Sequence, residues 1–502
     1  MAFASMKFLL FLLAAVLGYY LIPKRFQWIW LLIFSYIYYL ASGVKLVFFL
    51  LFTTLTTYGA GRWIHARGED KKAKRKILIL GLLLNFGMLG VLKYTNLAIT
   101  SFNHLFGMEL PFTNFLLPLG ISFYTFQSMG YLMDVYWGRF EAEKNPFRFA
   151  LFVSFFPQIM QGPIGRYNRL ACQLYESHEF DWIRMERGCQ LILWGFFKKM
   201  VLADNAALFV NTIFGDYHTY SGLSIAGVLL YSIQLYGDFS GGMDVVMGVA
   251  NLFGIQLDEN FKRPYFARSI TDFWHRWHIT LGTWMKDYVF YPFSLSRPMS
   301  KFGKFAKKKL GKQLGRTLPI CIANVLVFLV VGIWHGAAWK FIAYGLYNGL
   351  IIGISGLLAK QYRSWKKRLH IDDKAPWFIL FQILRTFLLV NISWFFDRGD
   401  TVGQAFTMFK NAWTKTDWSM LLNINTTAGG NTYTAMILGI ILFGCLILFV
   451  VSLLQERGVK IRESLSRRPL ILRFAIYLAL LFSLSAIGQM PLSSGGFIYA
   501  QF

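Results

Sequence analysis

The sequence predicts an all-α, polytopic membrane protein folded as one helical bundle, and three observations lead there. Only 15% of the 502 residues are charged while 56% are hydrophobic, against roughly 25% charged in soluble domains. A soluble surface of that composition would expose large apolar patches and aggregate. The apolar residues fall in runs long enough to cross a bilayer, which takes about 20 residues of helix. The net charge of +26 is gathered in short stretches beside those runs. There it reads as anchoring to membrane lipids with anionic headgroups, and no nucleic-acid partner is expected.

The runs, in order, are 6–22, 26–41, 44–60, 77–92, 112–136, 147–163, 188–214, 222–238, 317–334, 338–358, 376–396, 432–454 and 469–488. Several are short, so tilted, broken, re-entrant or interfacial segments are expected, roughly 11–13 membrane segments in all. The first run resembles a signal-peptide core. It lacks a small-residue cleavage site and another run follows at once, so it reads as a retained helix. The chain divides into N-terminal helices (1–110), a core (111–360) and C-terminal helices (361–502), all one integral membrane unit. No internal repeat of the kind many transporters carry is visible.

Basic residues set the topology. The stretches 61–76, 297–316, 360–374 and 456–468 are rich in Lys and Arg, which places all four on the cytoplasmic side. Three runs precede the first stretch and one follows the last, so both termini are expected outside, as is the loop 397–431. The cysteines Cys172, Cys189, Cys321 and Cys445 form no Cys-x-x-Cys pair. Neither a disulfide framework nor a zinc site is read from them.

Four segments can carry chemistry. In Gly332-Ile333-Trp334-His335-Gly336-Ala337-Ala338-Trp339, His335 lies at the deep end of a hairpin of two apolar runs. An ionisable side chain placed there is costly and marks a functional site; the alternative is a histidine bonded between helices. Imidazole suits a general base toward a hydroxyl, and the small residues after it leave room for a substrate. The second segment runs from Asp272 to Trp284. Read as one helix, it places Trp274, Trp277, His278, Leu281 and Trp284 on an apolar stripe, with His275 and Thr280 on the polar one. His278 is therefore the buried candidate. The spacing His275-x-x-His278 lacks the glutamate and third ligand of a zinc site, so no metal is expected.

The third segment, Tyr236-Gly237-Asp238-Phe239-Ser240-Gly241-Gly242-Met243-Asp244, ends an apolar run in glycines expected to break the helix. Asp238 and Asp244 can orient a histidine, bind a cation or, most commonly, cap a helix. In the fourth, Phe156 to Tyr167, a Gly-Pro pair stops a helix and directs Arg166 away. Arg166 can meet the phosphate of an acyl donor or simply reach the headgroups. Nucleophile-elbow, Walker and dinucleotide motifs are absent, which disfavours a hydrolase or a nucleotide-driven pump.

Taken together, these four segments resemble the membrane-bound O-acyltransferase family, in particular its bacterial branch of alginate O-acetylation and teichoic acid D-alanyl transfer proteins. The family's Phe-Trp-Arg-Arg-Trp-His-x-Ser-Leu pattern is similar to Phe273-Trp274-His275-Arg276-Trp277-His278-Ile279-Thr280-Leu281, with His275 and Thr280 in place of Arg and Ser. Its Trp-His-Gly matches Trp334-His335-Gly336. The resemblance implies a many-helix bundle with a central funnel. It also implies transfer of an acyl group, in this branch acetyl, from a cytoplasmic thioester to an extracytoplasmic acceptor. His335 would be the signature catalytic residue and His278 the second one, with Trp334, Trp274, Trp277, Asp238 and Arg166 as candidates for binding substrate. Acetyl-CoA is the donor expected, with no tightly bound cofactor. The partners expected are an extracytoplasmic acetyltransferase protein and an extracytoplasmic polysaccharide, and the location is the inner or plasma membrane. Three other readings stay open: D-alanyl transfer to teichoic acid from a carrier protein, acyl transfer to a lipid, and a non-enzymatic polysaccharide transporter.

Overall fold

A computed structural model describes residues 5–159, 161–424 and 430–488 of the chain; both ends of the chain, whose side of the membrane the basic stretches predict, lie outside the described residues. The helices are α1 (Met6–Leu21), α2 (Gln27–Leu40), α3 (Val47–Ala66), α4 (Lys71–Phe106), α5 (Ile121–Tyr136), α6 (Pro146–Ser154), α7 (Phe156–Ile159) and α8 (Tyr167–Tyr175). They continue as α9 (Trp182–Phe196), α10 (Asp204–Gly215), α11 (Ser224–Leu252), α12 (Ile270–Arg276), α13 (Ile279–Met285), α14 (Tyr291–Ser294) and α15 (Arg297–His335). The last are α16 (Trp339–Leu357), α17 (Ala359–Arg368), α18 (Pro376–Arg398), α19 (Val402–Thr414), α20 (Gly430–Glu456), α21 (Ile461–Ser466) and α22 (Leu470–Ala486).

The architecture is all-α: among the described residues the extended pairing consists of a single antiparallel bridge, Phe261 to Trp277. Six helical segments among them are long and apolar enough to cross a membrane: Val44–Ala66, Lys71–Phe106, Arg297–His335, Trp339–Leu357, Pro376–Arg398 and Tyr433–Glu456. The other runs form shorter or interrupted helices. The run 112–136 becomes helical only at Ile121, and 147–163 is divided between α6 and α7. Polar side chains start several helices where the sequence supplies them. Asp70 accepts the backbone N–H groups of Lys72 and Ala73 at the head of α4, and Ser296 caps α15.

The chain forms two compact units. The first comprises Met1–Asn205, Leu235–Asp258 and Ile447–Phe502. Its aromatic core joins Phe8, Phe11, Tyr38, Phe156 and Phe253. Here one expectation is corrected: α11 does not break at Gly237, Gly241 or Gly242 but runs through them to Leu252. The glycines serve close approach instead. A Cβ on Gly241 would lie 2.7 Å from the carbonyl oxygen of Gly195, and one on Gly195 would lie 2.5 Å from that of Gly241. The backbones of α9 and α11 thus touch, as small residues allow between membrane helices.

The second unit comprises Ala206–Gln234 and Glu259–Leu446. Its frame is the antiparallel hairpin of α15 and α16, also built on glycine. A Cβ on Gly345 would meet the carbonyl oxygen of Phe328 at 2.3 Å, and one on Gly332 would meet that of Phe341 at 2.3 Å. The basic stretch 297–316 is not the loop the charge pattern suggests. It is helical on both sides of Gly311, whose φ of 88° reverses the chain. The arm before Gly311 then folds back on the arm after it, so that a Cβ on Gly315 would lie 2.5 Å from Cα of Lys307. Another basic stretch contains α17, which has no buried residue.

Backbone atoms cannot retreat as a flexible side chain can, so Gly345→Ala is expected to destabilise the protein by about 1–3 kcal/mol, the range of overpacking. Gly439→Ala in α20, where a Cβ would meet no atom within 4 Å, is the matched control. Thermal melts of both variants in lipid nanodiscs check this; equal midpoints would mean that the hairpin tolerates separation.

Candidate active site

The apolar stripe of 272–284 is not one helix. The chain leaves α12 at Trp277, which is extended (φ −107°, ψ 128°), turns through the left-handed region at His278 (φ 48°, ψ 51°) and enters α13. A non-glycine residue held there stores strain of order 1–3 kcal/mol, a feature that clusters at functional sites. The segment 260–262 holds the corner in place. The backbone N–H of Lys262 donates to the carbonyl of Arg276 (2.9 Å), and that of Ile279 to the carbonyl of Asn260 (3.1 Å).

The Asn260 side chain completes the clasp. Its Oδ1 accepts from the backbone N–H (3.0 Å) and the hydroxyl (2.9 Å) of Thr280, and lies 3.3 Å from Nδ1 of His278. A backbone N–H can only donate, which identifies the Asn260 atom as the carbonyl oxygen. His278 Nδ1 is then the protonated nitrogen that donates to it, and Nε2 holds the ring's lone pair. Burial first, and the neighbouring His335 second, hold His278 well below the usual histidine range. It is a neutral imidazole with its basic atom defined.

His335 is the last residue of α15 and is 3% exposed. Trp334 stands between the two histidines: its ring is 5.6 Å from that of His278 and 5.4 Å from that of His335, edge-on to both. On the other side, His335 meets Tyr344 (5.3 Å, edge-on) and Phe341 (6.4 Å, near-parallel). A Cβ on Gly336 would lie 2.1 Å from the Phe341 ring, so glycine is needed for that ring to approach. The wall continues through Trp394, stacked on Tyr344 at 6.0 Å, to Trp277, 5.5 Å from Trp394. Trp274 joins the same wall from α12. Its Nε1 donates to Asn348 Oδ1 (3.3 Å) and its ring meets Phe328 (5.1 Å).

The structure therefore gathers five of the seven candidate residues, His335, His278, Trp334, Trp274 and Trp277, in the second unit. The other two fall in the first unit. Asp238 is fully buried on α11, and its carboxylate accepts from Lys199 Nζ at 2.6 Å. Arg166 is half-buried at the start of α8. His275 is exposed, as its side of the stripe predicts, whereas Thr280, assigned to the polar stripe, is buried against Asn260. No group of three or more metal-ligating side chains is present among the described residues.

Two buried imidazoles beside one indole can take a proton from a hydroxyl and pass it on. That is the chemistry of group transfer to an alcohol. A sequence family model described as the membrane-bound O-acyltransferase family matches residues 142–393. The chain belongs to this family. It is 35% identical over 429 residues to the probable alginate O-acetylase AlgI of Pseudomonas aeruginosa, covering 84% of this chain and 76% of that protein. It is 31% identical over 434 residues to the peptidoglycan O-acetyltransferase of Helicobacter pylori (80% and 77% covered). It is 30% identical over 283 residues to the teichoic acid D-alanyltransferase of Bacillus subtilis (54% and 66%). This membrane-bound O-acyltransferase is accordingly a multi-pass membrane enzyme that transfers an acyl group to oxygen.

Sequence reasoning missed Asn260, Tyr344 and Trp394. Nothing around Asn260, in Asp258-Glu259-Asn260-Phe261, sets it apart from a surface loop; its importance arises from pairing with a strand-like corner distant in sequence. Tyr344 and Trp394 lie in apolar runs where aromatic residues are ordinary.

Asn260→Ala is expected to reduce acyl transfer by about 10²-fold or more, the contribution of one positioned acid–base group. Asn260→Asp keeps the acceptor and adds a negative charge beside His278 Nδ1. That charge favours the imidazolium and raises the pKa, so the acid limb of the pH–rate profile should move to higher pH. An unmoved limb would separate His278 from the rate-limiting proton transfer.

Proposed function

We propose that this enzyme takes an acetyl group from acetyl-CoA at the cytoplasmic face of the inner or plasma membrane and delivers it for O-acetylation of an extracytoplasmic polysaccharide. An extracytoplasmic acetyltransferase protein works with it. The observation that carries the reading is the pair of buried histidines, His278 and His335, on either side of Trp334. Similarity to an alginate O-acetylase and a peptidoglycan O-acetyltransferase supports acetyl as the group and a glycan as the final acceptor.

In this reading His335 is the general base. Its imidazole takes the proton of the accepting hydroxyl, belonging to the polysaccharide or to a relay group, as the oxygen attacks the thioester carbonyl. The C–O bond forms, the C–S bond breaks, and the proton goes to the departing thiolate, so the transfer is proton-neutral. His278 donates from Nδ1 to Asn260, so its Nε2 can only accept. That favours a role in positioning a hydroxyl over polarising the thioester carbonyl. The buried aromatic wall keeps water from competing for the thioester. The basic arm of α15 and α17 supply positive charge that suits both anionic headgroups and the phosphates of the donor.

The test compares cells carrying the intact chain with cells carrying His335→Ala at matched membrane abundance, measuring base-releasable acetate on isolated surface polysaccharide. Acetate is expected to fall by about 10²–10⁴-fold, the usual contribution of a general base. Unchanged acetate would overturn the role of His335. Base-releasable D-alanine in its place would select the transfer named for the Bacillus relative.

A further inference from the structure

In the second unit, Trp394 and Asp397 each carry a buried polar atom that finds no hydrogen-bond partner among the described residues. Trp394 is 1% exposed, and its Nε1 meets no acceptor. Asp397 is 7% exposed; its Oδ2 accepts from the Tyr231 hydroxyl at 2.7 Å, but its Oδ1 meets no donor. The nearby Lys340 does not satisfy it, because Lys340 Nζ donates to the backbone carbonyls of Asp397 (3.1 Å) and Gly399 (2.7 Å). Orphaned polar groups are unfavourable in an interior, and a carboxylate oxygen especially so.

The two groups belong together. Positions 394 and 397 are three residues apart on α18, hence neighbours on one helix face. Both adjoin Tyr231, Asp397 through the hydrogen bond and Trp394 with ring centroids 6.3 Å apart. Trp394 in turn stacks on Tyr344, whose ring is 5.3 Å from His335. The two residues thus share one face of α18 against Tyr231, and the Trp394 ring stands one aromatic ring away from the histidine.

The chemistry of the pair selects its ligand. An anion would be repelled by the carboxylate. An ammonium group would satisfy Oδ1 but leave the indole N–H unmet. A hydroxyl meets both, donating to Asp397 Oδ1 and accepting from Trp394 Nε1. We propose that Trp394 and Asp397 form a hydroxyl-binding subsite for the acceptor glycan, seating one of its hydroxyls while another is presented to His335. The inference rests on the reading of a hydroxyl-bearing glycan as acceptor. By the charge pattern α18 runs outward from the cytoplasmic stretch 360–374, so the subsite lies on the side from which that glycan arrives. Trp394 and Asp397 are positioning residues in this scheme.

The test separates binding from turnover. The full chain in nanodiscs is titrated with tritiated oligosaccharides released from the surface polysaccharide of its own cells, and acetyl incorporation from acetyl-CoA is measured on the same preparations. Trp394→Phe keeps the ring but removes the N–H; Asp397→Asn keeps an acceptor for Tyr231 but removes the charge. Each is expected to weaken oligosaccharide binding about tenfold, the effect of one lost hydrogen bond, with KM for acetyl-CoA unchanged. In the double variant the losses should be less than additive, because one hydroxyl bridges both groups. Should Asp397→Asn fail to fold, Trp394→Phe alone decides. Failure of the intact chain to bind the oligosaccharides, or equal binding by Trp394→Phe, would overturn the subsite and leave an ordered water as its occupant. Binding that weakens as expected, without any acetyl incorporation, would keep the subsite and overturn the acetyl reading instead.

Discussion

The histidine site depends on how closely the backbones of α15 and α16 approach. Gly332 lies one turn before His335, and its missing side chain lets the carbonyl of Phe341 come within what would be 2.3 Å of a Cβ. That proximity brings Phe341 and Tyr344 against His335 at ring distances of 6.4 and 5.3 Å. Any larger residue at Gly332 or Gly345 would separate the helices, and one at Gly336 would push the Phe341 ring away from the imidazole. In a bilayer, where lipid tails are as apolar as leucine, such contact between backbones is among the few forces available for associating helices.

His278 is held by a different kind of force. A strained corner fixes it, clasped by four hydrogen bonds to or from Asn260 and Lys262. Aromatic rings thus pack around His335, while hydrogen bonds hold the corner at His278. Packing fixes a ring's position but not which nitrogen carries the proton, whereas a hydrogen bond to Nδ1 fixes both. The hydrogen bond to Asn260 thus defines the tautomer of His278.

Much of this was legible in the sequence, and the failures have physical causes. The apolar runs and the depth of His335 could be read because hydropathy is a property of each segment by itself. His278 was read as buried and His275 as solvated, as they are, from a helical stripe that does not exist as drawn: the stripe breaks at Trp277. Trp277, His278, Leu281 and Trp284 are buried all the same. The glycines of α11 misled in the opposite direction. Read locally, Gly237, Gly241 and Gly242 end a helix; in place, they let α9 lie against α11, which only the partner helix reveals. Asn260 and Asp397 escaped for related reasons. Asn260 acts through residues about 20 positions away, and Asp397 stands one residue past the apolar run 376–396, where it passed for the start of an external loop.

The location of Asp238 is explained by the energetics of buried charge. Lys198 and Lys199 are both nearly inaccessible, and an unpaired ammonium in such surroundings would be strongly unfavourable. Lys199 lies between Asp204 (2.7 Å) and Asp238 (2.6 Å), while Lys198 reaches Asp244 (2.8 Å) and Ser240 (2.9 Å). Asp238 and Asp244 are six residues apart, about 9 Å along α11 at 1.5 Å per residue. Consecutive lysines must therefore reach in opposite directions along that helix. The π-helical turn Phe197–Ala203 from which both project widens the backbone where they diverge. Removing one member of such a network strands its partner, at a cost of about 3–5 kcal/mol. Loss of activity on substituting Asp238 would consequently report the collapse of this network before any contact with substrate.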